Sequence, residues 1–147
     1  MAKLETRNTK LEGTQTAAVA PVRDFKDLDV WKSTRNLRML IYVLVKNFPA
    51  EERLALNTQL RRAIQSVGAN IAEGFGRYSY QENIQFCRQA RGSAYEVRDH
   101  LVTAADACFI SKAEYDEAEA LAQRVIQTLN GYIRSTTKRQ AESKKVR

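Results

Sequence analysis

Apolar residues recur along this chain at alternating spacings of three and four, which is the repeat of an amphipathic α-helix. Four such series lie between residues 30 and 132, and short polar or glycine-containing segments separate them. The predicted core positions are Val30, Thr34, Leu37, Ile41, Leu44 and Phe48; then Leu60, Ile64, Val67 and Ile71; then Phe86, Ala90, Ala94, Val97, Leu101, Ala104 and Cys108; and finally Tyr115, Ala118, Ala122, Val125, Leu129 and Tyr132. Four amphipathic helices with short connections predict an all-α, up-down-up-down four-helix bundle.

Capping and helix-breaking residues mark the bounds of the first two helices. Asp27 or Asp29 can cap the first helix, which should end before Pro49. The second should run from about Ala50 to Glu73, with Gly74 as its stop. Gly68 lies inside this helix and indicates either a kink or a close approach of a neighbouring helix.

Two serines mark where the third and fourth helices begin. The third helix is expected to start after Ser79. Ser111 precedes the fourth helix and stands three residues before Glu114, which is the spacing of a capping box. The prediction therefore has three parts: a disordered tail over residues 1–24, the bundle over residues 25–133, and a basic tail over residues 134–147.

Positive charge is concentrated after the predicted bundle. The chain of 147 residues carries a formal net charge of +7. The last fourteen residues hold six bases, Arg134, Lys138, Arg139, Lys144, Lys145 and Arg147, against the single acid Glu142. Basic arms of this kind commonly bind nucleic acid or an acidic surface, and a solubilising tail is the alternative.

A stripe of short polar residues runs beside the apolar seam of the second helix. Ser and Asn are poor residues for the middle of a solvated helix, because their side chains compete for backbone hydrogen bonds. The stripe is therefore interpreted as a contacted face that holds a structural polar network. Its members are Gln59, Arg62, Ser66, Asn70 and Glu73, joined by Glu96 of the third helix.

The residues that enzymes need are sparse. His100 is the single histidine, which argues against a metal site of the di-iron type, and Cys87 and Cys108 are expected to be reduced core residues. No metal, cofactor or catalytic residue is predicted, and we expect the protein not to be an enzyme. No segment is apolar enough to cross a bilayer, and a cytoplasmic location is expected.

Several short blocks of the sequence resemble a known family. They are F-K-D-L-D-V-W (25–31), F-P-A-E-E (48–52), Q-L-R-R-A (59–63), N-I-A-E-G-F-G-R (70–77) and G-S-A-Y-E (92–96). The chain resembles the bacterial four-helix-bundle proteins encoded in intervening sequences of 23S ribosomal RNA genes. That family is in turn similar to the accessory proteins of diversity-generating retroelements. Gly68 and the pair Ala94 and Tyr95 depart from the usual family pattern.

The resemblance implies an assembly and a partner. It implies a barrel-shaped homo-oligomer, specifically a homopentamer, which binds RNA or an RNA/DNA hybrid and associates with a reverse transcriptase. The basic residues expected to contact nucleic acid are Arg61, Arg77, Arg88, Arg91, Arg134, Lys138, Arg139, Lys144 and Lys145. Tyr78 and Tyr80 can stack on bases. The alternative function is a structural scaffold for a protein partner, without direct contact to nucleic acid.

Overall fold

The structure is a computed structural model that describes residues 20–147. These residues form four α-helices and no strand: α1 (Asp29–Leu44), α2 (Leu56–Gly76), α3 (Tyr80–Asp106) and α4 (Lys112–Lys145). Single turns of 3-10 helix cover Phe25–Asp27, Val45–Asn47 and Ala50–Leu54. The predicted all-α fold class is confirmed for this part of the chain.

The helices form a ring in which each one packs against two neighbours. α1 contacts α2 and α4, while α3 contacts α2 and α4. Neighbours run antiparallel. Asn83, near the start of α3, is bonded to Tyr132 in the second half of α4, whereas Arg98, later in α3, is bonded to Glu119 near the start of α4. This arrangement is the predicted up-down-up-down bundle.

Most residues of the predicted seams are buried in the core, but Phe86 is only half-buried, and Ile84 and Cys87 are the buried residues in that part of the third helix. Leu37, Ile41, Leu60, Leu101 and Leu129 have no solvent-accessible surface. The third and fourth seams bury alanines at the same depth, and small side chains let the backbones of α3 and α4 lie close together. These alanines are Ala90, Ala94, Ala104, Ala118 and Ala122. Most of the apolar surface that stabilises the fold is therefore in one continuous cluster.

Side-chain caps mark the starts of α3 and α4, whereas α1 and α2 begin without one. Ser79 accepts a hydrogen bond from the Glu82 amide, and Ser111 and Glu114 form the predicted capping box at the start of α4. The cap before α1 differs from the prediction. Asp24 caps a 3-10 turn, and α1 begins at Asp29 without a side-chain cap.

Three predictions about the ends of helices were wrong. The segment Ala50–Leu54 is a 3-10 turn, and the α-helix begins only at Leu56. Gly74 does not stop α2, which continues to Gly76 because α3 packs directly against the glycine face. The fourth helix does not end near residue 133. It continues to Lys145, since Thr136 is buried against the bundle and donates to the Tyr132 carbonyl at 2.8 Å.

The two cysteines lie in different environments. Both are free; Cys87 is buried, as predicted, but Cys108 is exposed in the turn after α3. The prediction that Cys108 belongs to the core was therefore wrong. The predicted disordered segment falls largely on residues 1–19, which are outside the described part of the chain.

Candidate nucleic-acid interface

Charge is segregated along the axis of the bundle. We call the half that contains the start of α1, the α2–α3 turn and the end of α4 the basic end, defined as residues 20–37, 67–93 and 129–147. These segments hold 13 Lys and Arg residues against 6 Asp and Glu residues. The opposite half, residues 38–66 and 94–128, holds 8 against 9. Antiparallel packing thus collects a net charge of +7 at one end and leaves −1 at the other.

A surface groove between α3 and the end of α4 lies at this basic end. Three adjoining depressions share lining residues and form what we call the α3–α4 groove. None of its lining residues is acidic. Its basic residues are Arg88, Arg139, Lys144 and Arg147; its tyrosines are Tyr78, Tyr80 and Tyr132; and its amides include Gln81, Gln85 and Gln140. This composition suits a ligand with phosphates and flat bases.

The floor of the groove is fixed by polar contacts. Asn83 donates to the Tyr132 hydroxyl at 3.0 Å, and burial raises the pKa of Tyr132, so this hydroxyl stays neutral. Thr136 is bonded to its own helix backbone and is almost completely buried. The end of α4 is therefore held against the first turns of α3.

Two of the predicted contact residues at the basic end are engaged in different ways. Arg88 is exposed in the groove. Arg77 pairs with Glu73 at 2.7 Å and with Glu82 at 3.9 Å, and its guanidinium lies over the Phe86 ring. The hydrogen bond from Arg77 to Glu73 raises the pKa of Arg77.

Two other predicted contact residues have structural partners. Arg91 is half-buried and donates to the Asn130 side chain at 2.9 Å, so it joins α3 to α4. Arg61 lies outside the basic end, with its guanidinium carbon 5.0 Å from the centre of the Tyr42 ring. The structure does not bring Arg61 together with the other predicted bases.

The basic residues after residue 133 lie on two faces of α4. Arg139 and Lys144 line the groove. Arg134, Lys138 and Lys145 recur at spacings of four and seven, which places them on one exposed stripe of the same helix. The predicted basic tail is thus helical up to Lys145.

The predicted polar network is only partly assembled within one chain. Ser66 and Ser93 have their Oγ atoms 2.9 Å apart, and Asn70 donates to the Ser66 Oγ at 3.1 Å. Arg62 and Gln59 are exposed. Glu73 pairs with Arg77, and Glu96 with His100 at 3.2 Å. Arg62, Glu73 and Glu96 therefore do not form one network within a single chain, and a network at contacts between copies stays a prediction.

Sequence reasoning missed the groove glutamines and Arg147. Gln81, Gln85 and Arg88 recur at spacings of four and three, and Gln140 and Lys144 at a spacing of four. These spacings would have indicated two facing stripes if the fourth helix had been continued beyond residue 133.

Among residues 20–147, no cluster of three or more His, Cys, Asp and Glu side chains could hold a metal ion. No helix in this range is long and apolar enough to span a bilayer.

Comparison with known proteins identifies the family. The family described as "23S rRNA-intervening sequence protein" matches residues 26–131. The chain belongs to this family. A solved structure of a protein of unknown function from the S23 ribosomal protein family of Bacteroides thetaiotaomicron has the same fold, with a TM-score of 0.66 at 22% sequence identity. The alignment covers 71% of this chain and 97% of that one. A search of the curated proteins found no match.

The family match ends before the basic part of α4. Residues 132–147, which include Arg139 and Lys144, lie outside the matched range. The α3–α4 groove is therefore built from a family helix and from an extension that the family match does not include.

Proposed function

We propose that this family member is a non-enzymatic protein that binds RNA or RNA/DNA through its basic end. The observation that carries the proposal is the segregation of charge, with 13 bases against 6 acids in the half that also contains the α3–α4 groove. Lys and Arg side chains that neutralise phosphates release condensed counterions, which makes such a surface a good polyanion site. The family description refers to 23S rRNA, and structured RNA is therefore the first probe.

Assembly would strengthen this surface. In a closed ring of identical chains, each basic end is repeated around the axis, so a modest charge per chain becomes a continuous band. The proposed assembly is a barrel-shaped homopentamer. The side chains of Gln59 and Arg62 are exposed on α2 and are suitable for a contact between copies.

A salt series tests the proposal. A fluorescent structured RNA and a DNA duplex of equal length are titrated with the full chain at several salt concentrations. We expect the logarithm of the binding constant to fall linearly with the logarithm of salt concentration. Absence of binding at low salt would rule out the proposed function.

The alternative function is a scaffold for a protein partner. It is favoured by the same exposed stripe of α2, because a polar face that is unused within the chain can also bind a different protein. A narrower version makes that partner the reverse transcriptase of a diversity-generating retroelement, and this version rests on the resemblance alone. Co-purification with such an enzyme, in the presence and absence of nuclease, would distinguish a protein contact from a contact through RNA.

A further inference from the structure

Tyr78 has an unusual backbone conformation at the centre of the basic end. It follows the last residues of α2 and has a φ of 54°, in the left-handed region. This region is ordinarily occupied by Gly or Asn at the end of a helix, because a side chain with a bulky Cβ substituent crowds the backbone there. A tyrosine in this position therefore costs conformational energy that the fold has to offset.

Cys108, at the other end of the bundle, has a comparable backbone conformation whose cost is offset by hydrogen bonds. Cys108 follows α3 with a φ of 59°. Its amide donates to the Ala105 carbonyl at 3.0 Å, and the Phe109 amide donates to the Ala104 carbonyl at 2.9 Å. These two bonds complete a Schellman motif, which satisfies the last carbonyls of the helix.

Tyr78 has neither these hydrogen bonds nor a buried side chain to offset the cost of its backbone conformation. Within residues 20–147 its amide donates to no backbone carbonyl, since the turn contains only the bond from the Arg77 amide to the Gly74 carbonyl at 3.4 Å. Its side chain is 92% exposed and lies outside the hydrophobic core. Stability alone would favour glycine at this position. Strain of this type is concentrated at functional sites, where it is retained for what it positions.

The surroundings of Tyr78 are those of a polyanion site. Tyr78 borders the part of the α3–α4 groove that has a volume of about 390 Å³ and is also lined by Tyr80, Gln140, Lys144 and Arg147. No Asp or Glu side chain lines this part. The neighbouring acids Glu73 and Glu82 face Arg77, at 2.7 and 3.9 Å.

We propose that Tyr78 is a stacking platform for an unpaired base of a single-stranded polynucleotide, whose adjoining phosphates are bound by Lys144 and Arg147. This inference rests on the proposed function and specifies the form of the nucleic acid. Every base has a flat face that can stack on a tyrosine, so the subsite tolerates different sequences. In a duplex both faces are already stacked, and the platform favours single strands.

The test uses variants that separate stacking from stability. Fluorescent 12-nucleotide RNA and DNA single strands and a blunt-ended RNA duplex of the same length are titrated with the full chain and with Tyr78→Gly, Tyr78→Phe and Cys108→Gly. Tyr78→Gly is expected to melt at the same or a higher temperature, yet to bind single strands about tenfold more weakly. The salt slope should be unchanged, because no charge is removed.

The other variants serve as controls. Tyr78→Phe keeps the aromatic face and should retain affinity for the single strands. Cys108→Gly relieves the same backbone conformation at the opposite end, and should leave affinity unchanged. If Tyr78→Gly weakens the binding of RNA and DNA single strands equally, the subsite accepts either polynucleotide. If it weakens the binding of RNA alone, the subsite also uses the ribose.

Three results would overturn the subsite. The first is single-strand affinity of Tyr78→Gly within twofold of wild type, and the second is equal weakening with the duplex. The third is a lower melting temperature, which would make Tyr78 a structural residue. In all three cases wild-type binding would leave the proposed function intact. Failure of the wild-type chain to bind any probe at low salt would instead refute the proposed function and the subsite together.

Discussion

A Cβ atom built on Gly74 of α2 would lie 2.9 Å from the Cβ of Phe86 on α3. The same position is 2.9 Å from the Asn83 Oδ1 and 3.2 Å from its backbone oxygen. Contacts this short involve backbone and the base of a side chain, which cannot move independently. The absence of a side chain at Gly74 therefore allows α2 and α3 to meet directly below the turn that carries Tyr78.

Substitution of this glycine should destabilise the protein. Gly74→Ala is expected to lower the free energy of unfolding by about 1–3 kcal/mol, the usual cost of overpacking a tight contact. Gly68→Ala is the matched control, because a Cβ there would meet the nearest atoms of Arg38 and Thr34 at 3.7 Å, an ordinary contact. Replacing glycine in a helix at such a site should stabilise by about 0.5–1 kcal/mol.

Chemical denaturation of both variants measures the difference. The two substitutions add the same methyl group to the same helix, so a difference in sign isolates packing from helix propensity. Equal stability changes in the two variants would contradict the assignment of Gly74 to a close helix contact.

The polar stripe of α2 separates into residues used within the chain and residues left on the surface. Ser66→Ala is expected to cost about 1 kcal/mol, since Ser93 and Asn70 would each be deprived of a hydrogen-bond partner. Arg62→Ala is expected to change the stability of a dissociated chain by less than about 0.5 kcal/mol, because Arg62 is exposed.

Assembly provides the second measurement on this stripe. If copies of the chain meet through α2, Arg62→Ala should reduce the sedimentation coefficient at a concentration where the wild type assembles. Thermal unfolding at a low concentration, where the chains are dissociated, measures the effect of Arg62→Ala on the stability of a single chain. A clear loss of stability in the dissociated Arg62→Ala chain would restore a structural role for Arg62 within the bundle.

The two thiols should differ in reactivity. Burial raises the pKa of Cys87 to about 12, whereas Cys108 is exposed. Because the thiolate is the reactive form, iodoacetamide at about pH 8.5 should label the folded chain once, at Cys108. Mass spectrometry of the intact protein counts the labels, and Cys108→Ser should abolish labelling. Rapid labelling of Cys87 in the folded chain would contradict its burial.

The raised pKa of Cys87 also predicts a loss of stability in alkali. The unfolded thiol of Cys87 ionises near 9.0, while the folded thiol stays protonated to about 12. The contribution of Cys87 to stability is therefore fully present below pH 9 and decreases as the pH rises from 9 towards 12. Cys87→Ala should show a weaker decrease over this range in chemical denaturation, whereas an identical decrease would assign it to other groups.

Much of the fold could be predicted, because helical periodicity records which residues face the core. The seam residues Leu37, Leu60, Val97 and Leu129 are all buried. The errors occurred where a local signal competed with a tertiary contact. Gly74 has the local properties of a helix stop, yet its packing against α3 keeps it inside α2.

The candidate site was harder to predict than the fold. Sequence spacing indicated which residues are basic but could not indicate which of them share an end, because that depends on antiparallel packing. The sequence predicts Arg61 and Arg77 equally as nucleic-acid contacts. In the structure, Arg61 lies against Tyr42 and Arg77 pairs with Glu73. The left-handed backbone of Tyr78 has no signal in the sequence, since Gly74, four residues earlier, is the residue predicted to stop the helix.

The central claim is that one end of the bundle binds nucleic acid, and two matched double variants test it most directly. Arg88→Ala with Lys144→Ala removes two charges that face the groove, whereas Lys46→Ala with Arg124→Ala removes two exposed charges from the opposite half. Both variants change the net charge equally. Binding of the structured RNA is measured by fluorescence anisotropy over a salt series.

We expect the groove variant to bind more weakly and its salt slope to decrease by about 0.7–0.9 for each phosphate that the removed side chains would have neutralised. The control variant should retain the wild-type slope. Equal weakening by the two variants would show that binding follows net charge and not the basic end, and would contradict the account.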